Sequence, residues 1–185
     1  APGSPDAAAK AAEVLTGAGW PAHLNERRGL DHGAWVPLRH LYPEADVPVI
    51  QVSMPGSLDP VSAYAFGRAL APLRSQGVLI VGSGSLTHNL YEFRRSSHEG
   101  DEEYARQFAD WTRDVVVKQD HVRLLQTMEL APQARRAHPT IEHLLPLMIA
   151  AGAAGADAPV RVLEGGITHG VLAMDSYAFG LGEEA

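Results

Sequence analysis

The chain contains no cysteine. Disulfides and thiolate metal ligands are thereby excluded, and His, Asp and Glu are left as the strong ligands available. Positive charge is also scarce: 15 Lys and Arg face 22 Asp and Glu, and the formal charge of −7 argues against a nucleic-acid-binding surface. Long apolar runs are missing as well. The longest, residues 144–154, is too short to span a bilayer and is interrupted by Pro146, so no membrane partner is expected. The opening residues Ala1–Pro2–Gly3–Ser4–Pro5 lack the basic-then-apolar order of a secretory signal, which makes a cytoplasmic location the expectation. What is present is an ordinary globular balance, 45% hydrophobic and 20% charged in 185 residues. That fits a single domain over 1–185 with a sizeable core.

Helical and strand patterns alternate along the chain. Ser4 and Pro5 start a helix through residue 17, with Asp6 in its acid-favouring first turn. Residues 47–53 read as a strand, 58–73 have helical spacing, and Gly77 is a stop signal. The run Val78–Leu79–Ile80–Val81 reads as a buried strand of a parallel sheet. Residues 102–119 form an amphipathic helix whose stripe of Tyr104, Phe108, Trp111 and Val115 belongs to the core. A further helix is expected over 140–151 and a closing strand over 171–178, with surface loops at 94–100 and 155–161. The alternation predicts an α/β fold, a three-layer-like sandwich with a mixed sheet flanked by helices. No strand precedes the first helix, so the sandwich is expected to be incomplete at its N-terminal side.

The segment Gly82–Ser83–Gly84–Ser85–Leu86–Thr87–His88–Asn89 follows an apolar run directly. Open α/β sheets bind ligands beyond the carboxyl ends of their strands, and glycines there let the backbone approach closely. His88 is therefore a candidate catalytic residue, and Asn89 beside it a candidate for touching substrate. The competing structural reading of His88 is a helix cap or a carbonyl partner. Asp31 and His32 sit between Gly29 and Gly33 on a turned loop, where a carboxylate can raise an imidazole pKa and fix its tautomer. The structural alternative is an Asx-turn capping the next helix. In His138–Pro139–Thr140–Ile141–Glu142–His143, Thr140 is a plausible N-cap that places Glu142 and His143 in a first helical turn. Neighbours on a helix diverge by about 100°, so one of them is expected to ligate metal while the other orients it or binds substrate. Imidazole plus carboxylate suits Fe(II) or Zn(II). His169, between Gly165–Gly166 and Gly170, lines the same mouth or a simple turn. His23, His40, His98 and His121 read as solvated surface residues, and Arg94–Arg95 as a solvated pair rather than a phosphate clamp.

Together these segments resemble the class III extradiol ring-cleavage dioxygenases, in the DOPA 4,5-dioxygenase-like branch. The resemblance rests on GLDHGAWVPLRHLYPEADVPVIQVSMP at 29–55, GRALAPLR at 67–74, GVLIVGSGSLTHNL at 77–90, HPTIEHLLPL at 138–147 and GVLAMDSYAFG at 170–180. It implies an α/β sandwich and insertion of both atoms of O₂ into a catechol-type ring, a small aromatic diol, at a non-haem Fe(II), with Zn(II) possible in purified protein. It also implies acid/base roles for Asp31–His32 and His88, and a metal ligand at Glu142 or His143. The family's two N-terminal histidine motifs, Ser-His-Gly-Ser-Pro and Ser-Ala-His-Trp, do not occur here. The resemblance therefore covers the C-terminal two-thirds of a member, and an N-terminal segment or partner chain is expected to complete the metal site. Two alternatives stand beside it: a non-enzymatic binding module of the same superfamily, and a zinc-dependent hydrolase using the same His and Glu donors.

Overall fold

The computed structural model describes residues 1–95 and 102–181. Helix α1 (Pro5–Gly17) begins where the sequence predicts. The Ser4 hydroxyl accepts from the Ala7 N–H, and Pro5 occupies a first-turn position where a missing N–H costs nothing. Helix α2 (His32–Leu41) is capped by Asp31 and has no buried residue. Helix α3 (Pro60–Leu70) starts with a reciprocal capping box between Asp59 and Ser62 and runs into a 3-10 turn, Ala71–Gln76. Gly77, left-handed at φ 78°, ends it as expected. Then come α4 (Leu90–Arg95), α5 (Glu103–Val117), three short helices α6 (His121–Leu125), α7 (Thr127–Leu130) and α8 (Ala134–Ala137), and α9 (Leu145–Ala154).

The core gathers around α3, α5 and α9. On α5, Tyr104, Phe108 and Val115 are buried as the stripe predicts, and half-buried Trp111 carries the Arg123 guanidinium 5.3 Å above its ring. Helices α3 and α9 touch backbone to backbone. A Cβ added at Gly67 would lie 2.0 Å from the Ile149 carbonyl oxygen, and one at Gly152 would lie 2.1 Å from that of Tyr64. Only glycine permits this spacing, so the two residues set how near the helices come.

The strands are shorter than the sequence predicts and lie mostly elsewhere. β1 (Val160–Leu163) pairs antiparallel with β4 (Ser176–Phe179), and β2 (Ile167–Thr168) with β3 (Leu172–Ala173). The closing strand expected over 171–178 is thus broken at Met174–Asp175. There the Asp175 carboxylate accepts from the Gly165 N–H and pairs with Arg113 at 2.6 Å, turning the chain from one sheet to the other. The loop expected over 155–161 is two residues shorter, because Val160 and Arg161 already belong to β1. The strands expected over 47–53 and 78–81 are not laddered among the described residues. The first makes one parallel bridge, Gly3 to Val49. The second is one-faced rather than buried on both: Val78 and Ile80 pack on the core while Leu79 and Val81 are 59% and 47% exposed. A strand exists only with a hydrogen-bonding neighbour, which apolar character alone does not supply. The fold is of the α/β class, helix-rich, with two small antiparallel sheets.

The helix expected from Thr140 begins five residues later, at Leu145. Pro146 explains the difference. Proline fits the first turn of a helix, whereas a start at Thr140 would place its ring against the carbonyl of Glu142. Arg94 and Arg95, expected in a loop, end α4. His98 and the rest of that loop lie outside the described residues. No described helix is long and apolar enough to cross a membrane.

Candidate active site

The late start of α9 leaves Glu142 and His143 in the turn before the helix, free of the divergence a helix would impose. Glu142 Oε1 lies 3.3 Å from His143 Nδ1 and accepts from the Thr140 hydroxyl at 2.8 Å. Partial burial pulls the Glu142 carboxyl up. Its own N–H, the Thr140 hydroxyl and His143 outweigh that, and the net shift is downward, so the carboxylate is charged.

His88 is brought onto His143 from 55 positions earlier in the chain, and the two rings stack with centroids 3.6 Å apart and planes 15° from parallel. Burial and the neighbouring His143 both lower the His88 pKa, which favours the neutral ring. The 82–85 segment makes this possible. The Ser85 N–H donates to the His143 carbonyl at 2.8 Å, and a Cβ at Gly84 would sit 2.2 Å from the same oxygen. The glycine-serine sequence is therefore the surface on which the His143 turn lies, as its small residues suggested.

The same segment reaches the third histidine loop. The Ser83 hydroxyl donates to the Gly33 carbonyl, in a short contact that ties the Asp31–His32 loop to residues 82–85. His32 is the exposed first residue of α2. The pairing expected between Asp31 and the His32 ring does not form. Asp31 instead caps α2 through the Ala34 N–H at 3.2 Å and holds Gln51, whose amide donates to Oδ2 at 2.6 Å while its carbonyl accepts from the Asp31 N–H. The Gln51 bond, with Ala34, Arg28 and His32, keeps the Asp31 carboxyl below its ordinary range against the opposing effect of desolvation. An N-cap residue turns its side chain to the helix N–H groups rather than to its neighbour's ring.

Asn89 is buried with both ends of its amide engaged: Nδ2 donates to the Arg136 carbonyl at 2.6 Å, and Oδ1 accepts from the Glu92 N–H to cap α4. His169 is exposed, left-handed at φ 51°, and set edge-on to Phe93 at 5.3 Å. His23 and His40 are exposed as expected, while His121 is half-buried with Nε2 3.2 Å from the Ala156 carbonyl. Gln51, Ser83 and His138 shape the site although the sequence assigned them no role. Their place within the quoted motifs was the one signal that pointed to them.

Glu142 and His143 are donors of the right chemistry for a non-haem metal, and the buried His143 Nδ1 faces the Glu142 carboxylate at 3.3 Å without a well-formed hydrogen bond. Among the described residues, however, no group of three or more His, Cys, Asp or Glu is placed to hold an ion. The described residues do not make a complete metal centre.

The family profile for the catalytic LigB subunit of aromatic ring-opening dioxygenase matches residues 1–180. Over 180 residues the chain is 39% identical to the 4,5-DOPA dioxygenase extradiol of Beta vulgaris, covering 97% of this chain and 67% of that protein. It is 33% identical to the 4,5-DOPA dioxygenase extradiol of Escherichia coli (strain K12) over 183 residues, with the same coverage. The chain thus spans about two-thirds of the length of these curated relatives. A crystal structure of an uncharacterized protein from Escherichia coli K12 matches with a TM-score of 0.80 at 32% identity, covering 96% of this chain and 73% of that one. With the segments carrying His32 and His143 both bonded to the glycine-serine stretch that leads to His88, and this agreement along nearly its whole length, the chain belongs to the class III extradiol dioxygenases, aromatic ring-opening enzymes of the 4,5-DOPA dioxygenase type.

Proposed function

We propose that residues 1–185 are the catalytic domain, or the larger part of it, of an enzyme that opens a catechol-type ring beside its hydroxyls with O₂. The observation that carries this reading is the stack of His88 on His143, beside a carboxylate and joined through residues 82–85 to the His32 loop. His32, exposed at the start of α2, takes the proton of a substrate hydroxyl. His88 is the group that holds or returns a proton on the other side of the ring. Positioned acid–base groups of this kind typically contribute about 10²–10⁴-fold in rate. Asp31 and Asn89 act by fixing the loops of these two histidines, and His169 is proposed to border the substrate.

Fe(II) is the proposed metal, with Zn(II) able to replace it in purified protein. Glu142 and His143 are its candidate donors, and the remaining ligands are proposed to come from a further segment or a partner chain. The same addition would give the extended stretches 47–53 and 78–81 their strand partners and complete the three-layer sandwich. A cytoplasmic setting accords with this chemistry. The test is anaerobic loading of the complete protein with Fe(II), followed by a catechol and oxygen. A yellow ring-opened product is expected. Metal-loaded protein that gives no such product across a panel of catechols overturns the proposal.

A further inference from the structure

We infer that His138 is a positioning residue for His88, acting through the main chain of Leu86. The inference rests on the reading of His88 as an acid–base group. His138 is 1% exposed, the most deeply buried histidine among the described residues, and its ring packs against Phe108 at 5.4 Å. Its Nε2 lies 2.9 Å from the Leu86 carbonyl oxygen. A carbonyl only accepts, so Nε2 carries the hydrogen and the buried Nδ1 is left as an acceptor with no partner. Leaving a buried acceptor unpaired is unfavourable, so the bond to Leu86 is what this residue contributes.

That bond is one of a set. On the other side of Thr87, the His88 N–H donates to the Ala137 carbonyl at 2.9 Å, and next to it Asn89 Nδ2 donates to the Arg136 carbonyl. The buried Thr87 hydroxyl donates to the Val171 carbonyl at 2.7 Å and accepts from the Ala173 N–H at 2.8 Å. Residues 86–89 are thereby fastened to 136–138 at three points and to β3 at a fourth. His138 is the only side chain on the 136–138 side that takes part; its two neighbours offer carbonyls. The stretch 136–138 leads within five residues to His143, so the clamp holds both members of the stacked pair against one another. Burial lowers the His138 pKa, against the raising effect of the Leu86 bond, and the ring stays neutral.

The test compares His138→Phe, His138→Gln and His138→Asn. Phenylalanine fills the space without a donor. Glutamine carries its amide nitrogen to the reach of Nε2, and asparagine does not. Two readouts need no turnover: the upfield ring-proton shifts of His88 and His143 by NMR, and the exchange rate of the His88 amide. Phe and Asn are expected to lose the stacking shifts and speed exchange, and Gln to retain both. On the complete, metal-loaded protein, kcat falls by up to about 10²-fold in Phe and Asn with KM little changed, and recovers in Gln. If His138→Phe does not fold, the Gln and Asn pair decides: equal behaviour of the two overturns the inference. Unchanged stacking and exchange in a folded His138→Phe also overturn it. Altered stacking with unaltered kcat overturns the role in the reaction. Wild-type protein that shows the stack yet cleaves no ring overturns the functional reading, while the clamp on His88 remains supported.

Discussion

Replacing Gly84 with alanine tests whether close backbone contact builds this site. The new Cβ would lie 2.2 Å from the His143 carbonyl oxygen and 3.0 Å from Pro146 Cγ. The carbonyl has nowhere to withdraw, because buried Leu144, Leu145 and Pro146 follow it directly and anchor the start of α9. The 82–85 segment must therefore lift away, and the 2.8 Å bond from the Ser85 N–H to the same oxygen goes with it. Overpacking costs about 1–3 kcal/mol, and the lost hydrogen bond about 0.5–1.5 kcal/mol. At roughly 2–4 °C per kcal/mol for a chain of this size, Tm falls by about 3–18 °C. Thermal denaturation followed by circular dichroism measures this. Gly56→Ala, where an added Cβ meets nothing within 4 Å, is the control and should stay within about 0.5 kcal/mol of wild type. The His88 and His143 ring protons should also lose their stacking shift in Gly84→Ala alone. A Gly84→Ala protein with wild-type Tm and an intact stack would refute the reasoning.

Further outcomes follow from the same geometry. In complete protein, His32→Ala and His88→Ala should cut turnover by about 10²–10⁴-fold while retaining metal, whereas loss of metal is expected for whichever of Glu142→Ala and His143→Ala removes a ligand; elemental analysis beside kcat separates the two, and metal lost from His88→Ala would make His88 a ligand. The 185-residue chain alone should bind Fe(II) and Zn(II) weakly, since among the described residues no three donors converge; a tight 1:1 calorimetric isotherm would contradict this. Burial holds the His138 pKa below its ordinary 6.5, so the unfolded chain binds the extra proton first. Its contribution to stability is full above about pH 6.5 and is lost as pH falls through the lowered folded value. Urea midpoints taken above and below that range should fall more for wild type than for His138→Gln; equal slopes would remove this account.

Much of the local structure is legible in the residues themselves. Ser4–Pro5, Asp31, Asp59–Pro60 and Gly77 begin or end elements because caps, prolines and left-handed glycines act on the few residues beside them. The stripe on α5 is legible for the same reason, since a helix face repeats at a fixed interval. Even the true start of α9 was present in Pro146, though Thr140 drew attention from it. The site's ingredients were visible as residue types on glycine-marked loops, and the agreement of five motifs in order pointed to the family.

The arrangement of those ingredients was not visible. Stacking of His88 on His143, the Gln51 hold on Asp31 and the bond from His138 to Leu86 join positions 20 to 55 residues apart. No local pattern encodes such a meeting. The strands missed for a related reason: Val78–Val81 has a strand's composition, but a ladder is a property of two segments and needs a neighbour to accept its bonds. Local sequence governs φ, ψ and which face is apolar, because those depend on adjacent atoms. Which loops come together, and which imidazole nitrogen carries its proton, depend on atoms that only the folded chain brings within 3 Å of one another.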